Sequence, residues 1–261
     1  VALSLAGCQP APVDNNQQTL APIPACSDPH ALIGSIQGRA GASAMVGQRV
    51  TVRGIITQQA TDNSFYLQQP AAAADADPLT SDALLVSPAA GAQLAAAVAG
   101  SELIVTGVVS EQTLQTDAEA APVTLLTQAQ ASVCAHGLPV PLQVLDQTAD
   151  ASALEHMHVG LRDWQVAAAM RPSSSADDAA SAMAGTLLVA SGHLYQPTQV
   201  VTPGPAAQRL AASNQAHALL LQVQGFVAEQ AWQMRAGDQL SVSGIVQPHA
   251  DGAQLIALAD F

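Results

Sequence analysis

Three stretches of the chain share one glycine spacing, and each reads as a β-strand that bends at a glycine. They cover residues 47–57, 100–110 and 237–247, and in each the two glycines stand seven positions apart. Apolar residues alternate with polar ones before the second glycine, a pattern typical of a half-buried strand. Because glycine lacks a Cβ, it allows the bulge or sharp coil that a small closed barrel needs. The spacing therefore predicts a protein built from coiled barrel strands.

The elements around the first two stretches follow a recognisable order. We predict strands at residues 48–57, 64–68 and 83–87, an alanine-rich helix at 92–98, and strands at 102–110 and 122–133. Three strands, a helix and two strands is the order of an OB-fold, a five-stranded Greek-key barrel.

The second half repeats this order less cleanly. Its predicted elements are a helix at 150–155, a strand at 157–168, a mobile loop at 171–184, a hairpin of 186–190 with 193–195, a helix at 205–218, and strands at 219–223, 239–247 and 254–258. We expect the helix at 205–218 to bury an apolar face made of Ala206, Ala207, Leu210 and Ala211. The prediction is a mainly β protein with two tandem OB-fold-like barrels and short helices. A disordered tether at residues 1–25 precedes barrels at 26–135 and 136–261, which meet near 136–141.

The charge of the chain limits what it can bind. It has 261 residues, no lysine and seven arginines against twenty acidic residues, for a net charge of −13. Tight binding to a phosphate backbone requires clustered cations, and the arginines are scattered. We therefore predict that any contact of this chain with nucleic acid is weak when the chain acts alone.

The first residues resemble the end of a bacterial lipoprotein signal. Leu5-Ala6-Gly7-Cys8 fits a lipobox, and a segment rich in Gln, Pro and Asn follows it. This pattern predicts lipidation at Cys8, export, and a place at the outer membrane, the cell surface or the periplasm, with the lipid as the only membrane contact. The alternative is a chance match in an alanine-rich chain. The positively charged segment expected before a lipobox is missing, so we expect either a fragment or a start further upstream.

Two further cysteines, Cys26 and Cys134, flank the first predicted barrel. An even pair in an exported protein is a disulfide candidate. We predict that they are bonded to each other; the alternative is two free thiols.

Several segments together resemble the N-terminal region of predicted bacterial extracellular nucleases. They are residues 31–38, 46–57, 65–68 and 75–82, and then 153–159, 194–204 and 234–238. The likeness extends over residues 26–261. It implies OB-like modules followed by a DNase I-like endonuclease/exonuclease/phosphatase domain, which carries the metal and the catalytic residues. That domain is not in this chain, so no residue here receives a catalytic role.

Two groups of residues are candidate binding sites. Asp75, Asp77 and Asp82 lie in one loop with small residues, and such carboxylates suit calcium or magnesium. The alternative, which we favour, is a solvated loop.

Tyr66 and Tyr195 are candidates for stacking on nucleic-acid bases, whereas Phe65 is expected in the core and Trp164 and Trp232 in the core or an interface. We expect the pair His156 and His158 to form a polar rim. No serine, cysteine or lysine stands in a nucleophile motif.

These observations lead to one expected function and two alternatives. We expect a non-catalytic accessory region of a nuclease-like envelope lipoprotein, which positions nucleic acid or a partner for a DNase I-like domain. The first alternative is an envelope structural or protein-interaction lipoprotein with no nucleic-acid role. The second is a fragment of a full-length, metal-dependent extracellular endonuclease.

Overall fold

The computed structural model describes residues 22–39, 42–60, 63–90, 92, 98–113, 122–145, 151–172, 185–223, 233–249 and 252–257. The lipidation site predicted at Cys8, Trp232, nearly all of the helix predicted at 92–98 and residues 173–184 of the predicted loop lie outside these ranges. Within them, no helix is long and apolar enough to cross a membrane.

The first barrel contains one short helix and five strands. They are α1 (Ile33–Gln37), β1 (Arg49–Gln59), β2 (Phe65–Gln68), β3 (Ala83–Pro88), β4 (Glu102–Gln112) and β5 (Val123–Ala135). The strands close in the order β1-β2-β3-β5-β4, and β4 pairs back onto β1. Only the β3–β5 pair is parallel among these five contacts. This is the arrangement of an OB-fold.

The second barrel repeats the same connections. Its elements are β6 (Gln143–Leu145), a 3₁₀ turn (Ala151–Leu154), β7 (His158–Pro172), β8 (Gly185–Ala190), α2 (Pro197–Val200), α3 (Pro205–Ala216), β9 (Ala218–Val223), β10 (Gln239–His249) and β11 (Gly252–Ala257). The order β7-β8-β9-β11-β10 closes through pairing of β10 with β7, and β6 adds alongside β7. The predicted mainly β fold with two tandem OB-fold-like barrels is confirmed.

The repeated glycine spacing has a clear structural reason. Gly47, Gly100 and Gly237 precede β1, β4 and β10, and their φ angles of +81°, +82° and +98° lie in the left-handed region that disfavours other residues. The second glycine lies inside the strand. At Gly54 an added Cβ would lie 3.0 Å from the backbone oxygen of Gln68. One glycine therefore forms the turn, and the other lets two strands approach closely.

Each barrel has its own apolar core of mostly aliphatic side chains. Ile33 and Ile36 of α1 pack with Phe65 and Leu67 in the first barrel, and all four are buried. Trp164 is buried in the second core, where its indole nitrogen donates to the Leu145 carbonyl at 3.1 Å. The core positions predicted for Phe65 and Trp164 are confirmed.

Cys26 and Cys134 form a disulfide, with their Cα atoms 5.6 Å apart. The bond joins the segment before α1 to the end of β5 across 108 positions. The predicted pairing is confirmed, and the first barrel is closed covalently.

Two local predictions for the second barrel are wrong. Residues 193–195 do not pair with β8, because β8 pairs instead with β9, with Leu188 opposite Leu220. The β9 strand buries three apolar side chains in the core, which a strand of only three residues at 193–195 cannot match. The apolar face of α3 is also mostly absent. Only Ala207 is buried, Leu210 is half-buried, and Ala206 and Ala211 are exposed.

Candidate ligand-binding face

The outer face of the second and third strands is the surface on which OB-folds bind oligonucleotides and oligosaccharides. In the first barrel these strands are β2 and β3, and in the second they are β8 and β9. Side chains alternate along a strand, so the neighbours of core residues point outward. Tyr66 and Leu85 are the outward pair in the first barrel, and Leu188 and Leu220 are the corresponding pair in the second.

The second barrel covers this face of the first. Tyr66, Leu85 and Leu125 form a buried cluster with Ile245 of β10. The phenolic oxygen of Tyr66 accepts a hydrogen bond from the side chain of Gln247 at 2.8 Å. Tyr66 is only 6% exposed. The stacking role predicted for Tyr66 is therefore wrong in this arrangement, because no base can reach its ring.

Polar groups also cross the contact between the barrels. The Leu85 amide donates to Nδ1 of His156 at 3.2 Å, and the Thr124 amide donates to Oε1 of Glu155 at 2.8 Å. The His158 amide donates to Oε1 of Gln68 at 2.7 Å. The barrels thus meet mainly through the segment before and at the start of β7, rather than through residues 136–141 alone. The predicted polar rim is wrong for His156, which is fully buried.

Burial controls the charge state of this contact. It raises the pKa of Glu155 to about 7, against the opposing effect of the Thr124 amide and the Gln37 side chain, while nearby Glu111 raises it further. Burial lowers the pKa of His156 to about 3. His156 uses Nδ1 as an acceptor, so its proton sits on Nε2, which has no partner among the described residues. The contact is built to hold two neutral side chains at mildly acidic pH.

Among the described residues, the corresponding face of the second barrel is not covered by the first barrel. Leu188 and Leu220 are half-buried there, and they form the floor of a cavity of about 480 Å³. Such a volume lies within the usual range of small-molecule sites. We call this surface the Tyr195 groove. Its apolar lining is Ala167, Leu188, Leu194, Ala218 and Leu220, and its polar lining is Tyr195, Gln196, Asn214 and Gln215.

Tyr195 lines both this cavity and a smaller depression of about 280 Å³, which extends to Ala236 and Gly237 before β10. The side chain of Tyr195 is 56% exposed. Its ring meets the edge of His193 with centroids 5.8 Å apart. The side-chain amide of Asn214 donates to the Tyr195 carbonyl at 2.8 Å, which ties α3 to the segment before α2. The tyrosine is therefore exposed yet held by its neighbours.

The lining residues of both depressions include no arginine, aspartate or glutamate among the described part of the chain. Arg209 on α3 and Arg235 before β10 are described residues outside that lining. The groove thus offers an aromatic ring, aliphatic walls and amide groups. Such a surface suits flat or uncharged groups.

Two of the three aspartates predicted as a cation site, Asp75 and Asp77, already have hydrogen-bond partners within the protein. Asp75 accepts hydrogen bonds from the Asp77 amide and the Thr80 hydroxyl, and Asp77 pairs with Arg39 at 2.9 Å. Burial, followed by repulsion from Asp75, raises the pKa of Asp82 to about 6. The described residues contain no group of three or more His, Cys, Asp or Glu that could hold a metal ion. Calcium or magnesium binding here stays a prediction.

Sequence reasoning identified Tyr195 but missed the rest of the groove. Leu188 and Leu220 stand in continuous apolar runs, Thr186–Ala190 and Ala218–Leu221, and such runs suggest strands buried on both faces. Gln196, Asn214 and Gln215 belong to no recognisable sequence motif. Their only signal is that they lie close to Tyr195 or at the end of a predicted helix.

Comparisons with known proteins do not assign the chain to a family. No family model matches it, and no curated protein matches it. A single-stranded DNA binding protein from Thermus aquaticus is 15% identical over 81% of this chain and 90% of that one, with a TM-score of 0.23. Fission yeast Pot1, solved with ssDNA, is 11% identical over 82% of this chain and 79% of that one, with a TM-score of 0.33. At these scores the likeness carries no functional argument.

Proposed function

We propose that this chain is a non-catalytic accessory module that holds single-stranded nucleic acid in the Tyr195 groove. The single observation that supports it is the difference between the two barrels. In the described part of the chain, this face of the first barrel is covered, whereas the same face of the second borders a cavity lined by an exposed tyrosine and aliphatic side chains. Aromatic rings on such a face stack with bases.

The proposal extends to a nuclease partner. Positioning a strand has use where another domain cleaves it, and the sequence resemblance points to a DNase I-like domain. Export and a lipid anchor at Cys8 belong to the same proposal, and they rest on the sequence pattern alone. The reading frame downstream of residue 261 tests whether such a domain belongs to the same polypeptide.

We expect the affinity to be low. Stacking contributes about 1–3 kcal/mol per base. With a net charge of −13 and no lysine, the chain gains little from release of counterions. A dissociation constant weaker than about 1 μM would correspond to less than about 8 kcal/mol of binding free energy.

The test is an NMR titration of the ¹⁵N-labelled 261-residue chain with a mixed-sequence oligodeoxynucleotide, single-stranded and then as a duplex. We expect the backbone amides of Tyr195, Gln196 and Asn214 to shift with the single strand. Tyr195→Ala should abolish these shifts. Leu79→Ala is the control, because Leu79 is 50% exposed in a loop of the first barrel. Shifts confined to the first barrel would refute the proposed site.

Absence of shifts with any strand would favour the alternative of a structural or protein-interaction module. The net charge of −13 and the uncharged groove are the observations in favour of that alternative.

A further inference from the structure

We infer that the Tyr195 groove binds the uncharged base of a nucleotide and leaves the phosphate outside, so that binding there is nearly independent of salt. This inference rests on the proposed function and names the part of the ligand that the groove takes. It concerns one unpaired base at a time, in a pocket rather than along a charged channel.

The walls of the groove suit a flat ring. Leu188 and Leu220 form an aliphatic floor on neighbouring strands, in register with each other. The exposed Tyr195 lines both the larger cavity and the smaller depression. An aromatic side chain above an aliphatic surface accommodates a planar heterocycle by stacking and by burial of apolar area.

The polar groups of the groove match the edge of a base. Gln196, Asn214 and Gln215 present amides, each of which can both donate and accept. Amide side chains pair with base edges in this way, for example with adenine. Asn214 also donates to the Tyr195 carbonyl, and this bond orients the amide. Gln165 lines the smaller depression, and its Oε1 is a buried atom that accepts no hydrogen bond from a described residue.

The charges argue against contact with phosphate. None of the described lining residues is an arginine, and the chain as a whole is strongly acidic. A single strand whose phosphates are neutralised by cations shows a salt slope of about −0.7 per contact in a plot of log K against log salt. A groove that contacts only the base leaves this slope near zero.

The experiment compares probes that separate base, phosphate and sugar. The ¹⁵N-labelled chain is titrated with adenosine, with ribose 5-phosphate and with maltotriose, and then with a single-stranded oligonucleotide at 50 and 300 mM NaCl. We expect adenosine to shift the amides of residues 194–196 and 214–215, and ribose 5-phosphate and maltotriose to leave them unchanged. The oligonucleotide should shift the same amides, with an affinity that changes less than about twofold between the two salt concentrations.

Variants separate a direct role of the ring from a structural one. Tyr195→Ala should weaken the binding of adenosine about tenfold or more. Tyr195→Phe should keep most of the affinity, because the aromatic face that stacks remains. Leu79→Ala should have no effect. Thermal unfolding of each variant checks that the barrel is intact.

The outcomes distinguish this inference from the proposed function. If the oligonucleotide binds through Tyr195 with a steep salt slope and adenosine does not bind, base recognition is refuted and the proposed function stands. If neither the oligonucleotide nor adenosine binds, both are refuted. If maltotriose shifts the groove amides and adenosine does not, the ligand is a sugar and both are again refuted.

Discussion

The side-chain amide of Gln247 in the second barrel donates a hydrogen bond to the phenolic oxygen of Tyr66 in the first, at 2.8 Å. This contact belongs to the packing that buries Tyr66 between the barrels, whereas Tyr195 in the second barrel is 56% exposed. The outward residue at the centre of the first ligand face is used for packing between the barrels, and burial raises the pKa of its hydroxyl. Within the part of the chain that the structure describes, the corresponding face of the second barrel is not covered by the first barrel and borders a cavity.

Removing the hydroxyl of Tyr66 should lower the stability of the protein only slightly, whereas removing its ring should lower it strongly. Tyr66→Phe loses one hydrogen bond and should lower the free energy of unfolding by about 0.5–1.5 kcal/mol. Tyr66→Ala leaves a cavity between the barrels and should lower it by about 3–5 kcal/mol. Urea denaturation measures both. Tyr195→Phe, at an exposed position, serves as the control, and an effect there as large as that of Tyr66→Phe would contradict the assignment.

Glu155 should make the protein less stable as pH rises. Its pKa in the folded state is raised to about 7, so the folded chain keeps a proton that the unfolded chain releases near pH 4.5. The contribution to stability is complete below pH 4.5 and is lost as pH rises through about 7. Glu155→Gln keeps an oxygen acceptor for the Thr124 amide without the titration. We expect its stability relative to wild type to increase by about 1–3 kcal/mol between pH 4.5 and pH 8. A difference that stays constant across that range would contradict the model.

His156 should act in the opposite direction. Its pKa in the folded state is lowered to about 3, so the unfolded chain takes up a proton below about pH 6.5 while the folded chain does not. Stability from this group is present above pH 6.5 and is lost as pH falls towards 3. The residue has a φ of 62°, which asparagine tolerates, and an asparagine oxygen can accept from the Leu85 amide. His156→Asn should therefore remove the part of the stability loss at acidic pH that comes from this group. The free energy of unfolding of the variant and the wild type, measured from pH 4 to 7, tests this. An unchanged acid slope would exclude the role.

The disulfide should contribute a large part of the stability of the first barrel. It closes a loop of 108 positions, for which the chain-entropy model gives about 4–5 kcal/mol. Replacing both Cys26 and Cys134 by alanine should lower the urea midpoint by an amount similar to that produced by reductant on the wild type. Reductant should have no further effect on the double variant. A double variant as stable as the wild type would mean that the loop is already restricted in the unfolded chain.

The strands and their order could be predicted from the sequence, but the packing of one barrel against the other could not. The strands around Gly54 and Gly107 could be predicted from local alternation and glycine spacing, although the neighbouring strands whose close approach these glycines permit could not. Alternation likewise shows that Phe65 and Tyr66 point to opposite faces. It cannot show that Ile245, about 180 positions later, lies against Tyr66, because contact between two barrels depends on packing of distant surfaces. The same reason hides the groove, whose floor and rim come from β8, β9 and α3.

Affinity for DNA is the final expectation, and the charge of the chain decides it. At physiological salt the 261-residue chain should bind single- and double-stranded DNA more weakly than about 1 μM, because non-specific affinity arises mainly from release of counterions by clustered cations. The arginines are dispersed from Arg39 to Arg235, and Arg39 and Arg53 are already paired with acidic side chains. Divalent cations bridging Asp75, Asp77 and Asp82 to phosphate are the one route to tighter binding. The titration is therefore run with a chelator, with calcium and with magnesium. Binding tighter than about 1 μM in chelator would contradict the charge argument, whereas tight binding with metal alone, lost in Asp82→Asn, would assign the cation site to this loop.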